Sequence, residues 1–159
     1  MKKIIFIIAS ITTFLTLMGC EDESNPVFTA VPIADSITFT NTSFATQYLL
    51  SEATEENIAE RFVWTDADFG LETNITYDLQ ASIDPLFETF DVVGATTENN
   101  TVVIVKQLLK YASDLGLDDD PETTNDSGEA NNKGTVFFRV RGYIGAGTAN
   151  LVEMISAIE

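Results

Sequence analysis

Apolar and polar positions alternate over much of this chain, mostly with a period of two. From Thr76 to Ile83 the apolar set Tyr77, Leu79, Ala81 and Ile83 interleaves with Thr76, Asp78, Gln80 and Ser82. That pattern predicts an antiparallel strand with one face on a core and the other toward water. Arg61-Phe62-Val63-Trp64-Thr65 puts Phe62 and Trp64 on one side. Thr135 to Tyr143 sets Val136, Phe138 and Val140 opposite Arg139, Arg141 and Tyr143. Thr89–Val93 and Thr101–Val105 are short β-branched runs that suit a pleated surface. Leu151–Ile158 supplies a closing strand with Val152, Met154 and Ile158 inward, and weaker strands are expected at Ser36–Thr40 and Gln47–Leu50.

One segment changes period. Lys106–Leu115 carries Leu108, Leu109, Ala112 and Leu115 at helical spacing, with Gly116 placed as a C-terminal stop. No Ser, Thr, Asp or Asn stands at its start, which leaves the first turn without an obvious cap. Between the strands, Asp66-Ala67-Asp68-Phe69-Gly70 offers carboxylates to backbone donors and a glycine for positive φ. Pro85, Gly94 with Asn99-Asn100, and the stretch from Gly142 to Gly147 mark further breaks. Short strands separated by turns, with one short helix, predict an all-β antiparallel sandwich.

The first residues follow a different logic. Lys2 and Lys3 precede a charge-free run from Ile4 to Met18, and Leu17-Met18-Gly19-Cys20 reads as a lipobox. The run falls short of the roughly 20 apolar residues a membrane-spanning helix needs. It fits the apolar core of a secretory signal, about 7–15 residues behind a basic flank and ahead of a small-residue cleavage site. The rival reading, an uncleaved helical anchor, is disfavoured because the sole cysteine stands at the end of the run. Residues 1–19 are therefore expected to be a lipoprotein signal peptide and Cys20 the acylated anchor. Residues 20–35 are acidic, contain Pro26 and Pro32, and hold no sustained period, as in a flexible tether.

Composition narrows what remains. Without the leader 140 of the 159 residues are left, enough for one domain with a true core, expected over residues 36–159. The net charge of −17 becomes −19 once Lys2 and Lys3 are removed. Such a balance repels phosphate backbones and anionic headgroups, so no nucleic acid is expected and membrane attachment falls to the lipid. With Cys20 acylated no thiol is left for a disulfide, and the absence of histidine removes His-based triads and ordinary zinc sites.

At this point the residues resemble a known family. Phe62-Val63-Trp64-Thr65-Asp66-Ala67-Asp68-Phe69-Gly70, followed by Ile75-Thr76-Tyr77-Asp78-Leu79-Gln80, resembles the N-terminal domain of SusE-type outer-membrane lipoproteins, with their F-x-W-x-x-A-D-F-G segment and alternating Y-x-L-Q strand. Leu108-Leu109 with Leu115-Gly116-Leu117 is similar to that family's leucine-rich helix, and Phe138-Arg139-Val140-Arg141 to a later strand. The similarity covers about residues 36–159. It implies an immunoglobulin- or fibronectin-III-like sandwich beside a TonB-dependent transporter, in a system that captures starch-like polysaccharide. In the family the modules holding the starch-binding sites follow this domain, whereas the present sequence stops at Glu159 near its end. Glu21-Asp22-Glu23 resembles the acidic export signal of Bacteroidetes surface lipoproteins, the alternative being ordinary linker acidity.

Candidate chemistry is sparse. Trp64 shares a face with Phe62 and reads as core rather than a sugar platform. Phe87, Phe90, Phe137 and Tyr143 are better candidates for exposed aromatics, though packing explains each. The loop Asp118–Glu129 holds Asp118, Asp119, Asp120, Asp126 and Glu129, hard oxygen donors for calcium, without EF-hand order; a solvated loop is the plainer reading. Asp68-Phe69-Gly70 and Gly145-Ala146-Gly147 lack the surroundings of a kinase or dinucleotide site and read as turns. The sequons at Asn41, Asn74 and Asn99 are chance matches beside a bacterial lipobox, and Asp35-Ser36-Ile37 resembles a short O-glycosylation signal. No catalytic residue, cofactor or metal is expected. The reading is a non-catalytic, surface-exposed outer-membrane lipoprotein of a glycan-uptake system, acting as spacer and docking module beside the transporter and glycan-binding lipoproteins. The alternative is an unrelated immunoglobulin-like adhesion or scaffold lipoprotein.

Overall fold

In a computed structural model the described residues are 29–34, 37–41, 47–120, 122–128, 130–145 and 151–159. The strands are β1 (Ile58–Val63), β2 (Thr76–Ser82), β3 (Asp91–Thr96), β4 (Asn100–Ile104), β5 (Phe137–Ile144) and β6 (Val152–Ile155). A helix, α1 (Val105–Asp114), joins β4 to the second half, and a short 3-10 turn covers Glu52–Thr54. Every pairing is antiparallel. β1 pairs with β4 in one sheet, and the other runs in the order β3-β2-β5-β6. The protein is an all-β sandwich, as the alternation predicts. Phe39 forms a single bridge to Trp64, flanked by bonds from Thr40 N–H to the Val63 carbonyl and Thr65 N–H to that of Thr38, so the expected strand Ser36–Thr40 is met by a bridge beside β1, with Ser36 itself outside the described residues. Gln47–Leu50 forms no strand.

The inward residues of both sheets make one core. Phe62 and Trp64 meet Tyr77, Leu79, Ala81, Phe138 and Val140, with Val103, Leu108 and Tyr111 closing one side. Phe62 lies 4.5 Å from Phe138 and Trp64 5.6 Å from Tyr77, ring centre to ring centre. These aromatic pairs join the two layers and replace the disulfide that the composition denies.

Several details depart from the sequence expectation. β2 is covered on both faces: Asp78, Gln80 and Ser82 point outward yet are buried. The long side chains of β5 fold across them, with Arg139 Nε donating to Gln80 Oε1 at 2.7 Å and Arg141 Nη1 reaching Asp78 Oδ2 at 3.3 Å. Gly94 does not break β3 but sits inside it, next to a register shift opposite Leu79 and Gln80. A Cβ there would meet Thr101 Oγ1 at 2.9 Å, so the glycine lets β3 lie close to β4 of the other sheet. In the last strand, Arg141 pairs with Ile155 but Phe138 exchanges both backbone bonds with Glu159. One extra residue is accommodated in between, where Ser156 Oγ accepts the Val140 N–H. That slip leaves Ile158 exposed, where the alternation places it inward.

The uncapped helix start has an explanation. Ile104 N–H donates to Gln107 Oε1, while Val105 and Lys106 N–H donate to the carbonyls of Asn57 and Glu55. Donors that a cap would serve are taken by a neighbouring loop. At the other end Gly116 adopts φ of 68°, with Leu117 N–H on the Ala112 carbonyl and Gly116 N–H on that of Ser113, a Schellman closure. Upstream of the sandwich, Val31 and Ile33 N–H donate to the carbonyls of Phe69 and Asp68, docking that stretch on the Asp66–Gly70 turn.

Candidate functional site

The most constructed surface feature lies where β2 ends and the chain turns toward β3. Ser82 Oγ donates to the Thr89 carbonyl and accepts the Asp84 N–H. Asp84 in turn takes Leu86 N–H on Oδ1, Glu88 N–H on Oδ2 and Phe87 N–H on its carbonyl. These bonds hold Phe87 at φ of 53°, the one non-glycine residue with positive φ among those described. A bulky side chain there carries about 1–2 kcal/mol of strain, which persists only where surrounding bonds over-determine it. The result presses the Phe87 ring against Arg139, whose guanidinium carbon lies 4.3 Å from that ring centre and 5.0 Å from the ring of Phe90.

Arg139 is thus packed from beneath by two aromatic rings, 6.4 Å apart, and oriented by Gln80 through Nε. It has no carboxylate partner among the described residues, although acids outnumber bases 25 to 8 in the chain. Burial pushes its guanidinium pKa below the ordinary value, with the more distant Glu153 opposing. Its neighbour Arg141 is fully engaged, bridging Asp78 and Glu153 over the ring of Tyr143.

Of the four aromatics weighed for exposure, Phe87 is buried and Phe90 is 45% exposed. Phe137 and Tyr143 are half-buried, and Trp64 is core, as expected. Phe90 also lines a shallow cavity of about 170 Å³ with Thr89, Asp91, Tyr111 and Asp114. Lys110 Nζ sits 2.9 Å from both Asp91 Oδ2 and Asp114 Oδ2, and the Tyr111 hydroxyl donates to Asp91 at 3.1 Å. Desolvation raises the Tyr111 hydroxyl pKa well above its usual value, with Asp91 adding to it. The Lys110 ammonium draws Asp91 below the usual carboxylate range against a smaller burial cost. Both groups therefore hold their ordinary charge states, the phenol neutral and the carboxylate ionised. An exposed ring with donors on one side and acceptors on the other can stack on a flat ligand and hydrogen-bond its rim.

The loop weighed for calcium is organised differently. Asp118 accepts from the Thr123 hydroxyl on both oxygens, from Asn131 Nδ2 at 3.0 Å and from Asp120 N–H at 3.1 Å. Those bonds hold its carboxyl below the usual range, Thr123 contributing most. The carboxylate fastens the loop base, and among the described residues no three acidic, His or Cys side chains converge on a metal position. A larger cavity of about 420 Å³ lies beneath this loop, lined by Leu115, Leu117, Asn131 and Lys133 but by no aromatic ring. The turn residues behave as read: Asp68 Oδ1 accepts Gly70 N–H, and Gly70 has φ of 71°.

Two sequon asparagines turn out to be structural. Asn41 clasps the edge of β1 through Arg61 and Val63, and Asn99 Nδ2 donates to Asp66 Oδ1 at 2.6 Å. Cys20, the acidic triplet after it, Asp35-Ser36 and Glu129 lie outside the described residues. Sequence reasoning noticed Phe87 and Phe90 but not their union with Arg139. The signal available was an outward arginine on β5 with no acid opposite it on β2, where Gln80 stands.

Compared with known proteins, residues 22–140 match the family model for the SusE outer membrane protein. No curated protein and no solved structure matches the chain.

Proposed function

The chain belongs to the SusE outer membrane protein family, and from that membership we propose that it is a non-catalytic surface lipoprotein of a polysaccharide capture and uptake system. It is an outer-membrane protein of a Sus-like system. On the proposed reading residues 1–19 are removed, Cys20 carries the lipid, residues 20–35 act as a tether, and the sandwich of residues 36–159 serves as spacer and docking module beside a TonB-dependent transporter. Two or more acyl chains would anchor it firmly, since each buried CH₂ contributes about 0.8 kcal/mol. The family match over most of the chain carries this reading and disfavours an unrelated adhesion lipoprotein. Among the described residues Asp91 and Asp118 are both held toward the ionised form, which suits accepting hydrogen bonds. A general acid needs the opposite displacement.

The test is purification of the lipidated full chain from outer membranes in mild detergent. A TonB-dependent transporter and a glycan-binding lipoprotein should co-purify, and mass analysis of the N-terminal peptide should show an acylated Cys20 with residues 1–19 removed. Recovery of the chain alone, or an unprocessed N-terminus with an unmodified Cys20, would overturn the proposal.

A further inference from the structure

We propose that the Phe90–Arg139 surface is a binding site for an uncharged glycan chain, with one sugar ring stacked on Phe90. The ligand class rests on the uptake reading; the choice of an uncharged chain rests on the site itself. Three features converge there. Phe90 is 45% exposed, with Arg139 over part of its ring, and the surface left open offers an apolar platform to the C–H face of a pyranose. Arg139 offers its Nη hydrogens to vicinal hydroxyl oxygens, because among the described residues only Nε is committed, to Gln80. The adjoining cavity brings Thr89, Asp91 and Asp114 as hydroxyl and carboxylate partners for the far rim. At about 170 Å³ it is smaller than the roughly 300–1,000 Å³ of a pocket that encloses a drug-sized ligand, so it suits one ring of a chain running across the surface.

The loop is built for this geometry before any ligand arrives. Ser82 and Asp84 fix five loop bonds, and those bonds impose the strained backbone that seats Phe87 under Arg139. A guanidinium held by cation–π contact and one neutral amide keeps its remaining donors free and loses little side-chain entropy on binding. Charge selects the ligand. Asp84, Glu88, Asp91 and Asp114 surround the patch against Arg139 and Lys110, leaving local acidic excess. Sugars bearing carboxylate or sulfate meet repulsion at short range, where salt screens least.

The experiment is calorimetric titration of the full-length lipoprotein in detergent with malto-, cello- and mannohexaose, and with an oligogalacturonate of equal length. At least one neutral hexasaccharide should bind, with Kd raised about tenfold or more by Phe90→Ala and by Arg139→Gln. The oligogalacturonate should bind more weakly than that neutral chain. Unchanged emission from Trp64, the sole tryptophan, checks that each variant is folded. No binding by any neutral chain, equal affinity in the folded variants, or tighter binding of the oligogalacturonate would overturn the assignment. So would a Phe90→Ala protein that keeps its glycan affinity but loses the transporter, because the surface would then dock protein. Because the transporter is scored separately by co-purification, loss of the uptake reading and loss of this site give different results.

Discussion

Gly142 on β5 stands opposite Tyr77 on β2, and a Cβ at Gly142 would come within 3.1 Å of Tyr77 Cε1 and 2.8 Å of Ile37 Cδ1. Tyr77 has little room to retreat: its ring packs on Trp64 and its hydroxyl accepts the Ala67 N–H at 3.0 Å. Gly142→Ala should therefore destabilise the domain by about 1–3 kcal/mol, the usual cost of overpacking a dense core. Urea unfolding followed by Trp64 fluorescence measures it, and a variant as stable as wild type would mean that the Ile37 segment yields.

Trp64 is fully buried, yet its indole Nε1 has no hydrogen-bond partner among the described residues. Trp64→Phe should consequently lose packing volume without stranding an acceptor. The expected cost is about 1–3 kcal/mol, below the roughly 3–5 kcal/mol of a large-to-alanine change. Circular dichroism melting gives the comparison, with Trp64→Ala as the reference.

Gly116 differs from Gly142 because nothing lies within 4 Å of where its Cβ would be, although its φ is 68°. Gly116→Ala should cost only the left-handed backbone strain, about 1–2 kcal/mol. Hydrogen exchange should show the loss concentrated at the Leu117 and Gly116 amides, the donors of the Schellman closure.

Acid should act on the site through Asp91. Its folded pKa lies below 3.8, chiefly because Lys110 hydrogen-bonds the carboxylate, with burial opposing and Tyr111 assisting. A depressed carboxyl contributes stability that is present above the unfolded pKa and lost as pH falls through the folded value. The pair is half exposed, so the effect at neutral pH is small. Asp91→Asn should be slightly less stable than wild type at about pH 6, and the difference should vanish below the folded pKa. A gap that persists in strong acid would assign the loss to packing instead.

The strand set and the helix were legible because their periodicities are long and regular: Phe62, Trp64, Leu79, Ala81, Phe138 and Val140 all enter the core the alternation assigns them. What escaped depends on partners distant in sequence. Burial of Asp78 and Gln80 is decided by arginines about sixty residues later, and the exposure of Ile158 by a one-residue slip against Phe138. The helix start needed carbonyls from Glu55 and Asn57 that no local cap rule contains. The candidate site was half visible. Phe87 and Phe90 stood out as aromatics, but their meeting with Arg139 requires the β2–β5 register and a backbone angle that a phenylalanine rarely adopts.

The bonds from Val31 and Ile33 to the Asp66–Gly70 turn have a mechanical consequence. That turn adjoins Tyr77 and Gly142, whereas Phe90 and Arg139 lie toward the Ser82–Phe137 end of the same ladder, roughly 20 Å away. If Cys20 is the anchor, tension on the tether reaches the Val31 and Ile33 bonds first and passes next to the bonds that join Thr38 and Thr40 to Thr65 and Val63. The two bonds of the Val31–Ile33 segment would yield first, lengthening the tether by a few residues before the sandwich itself is strained.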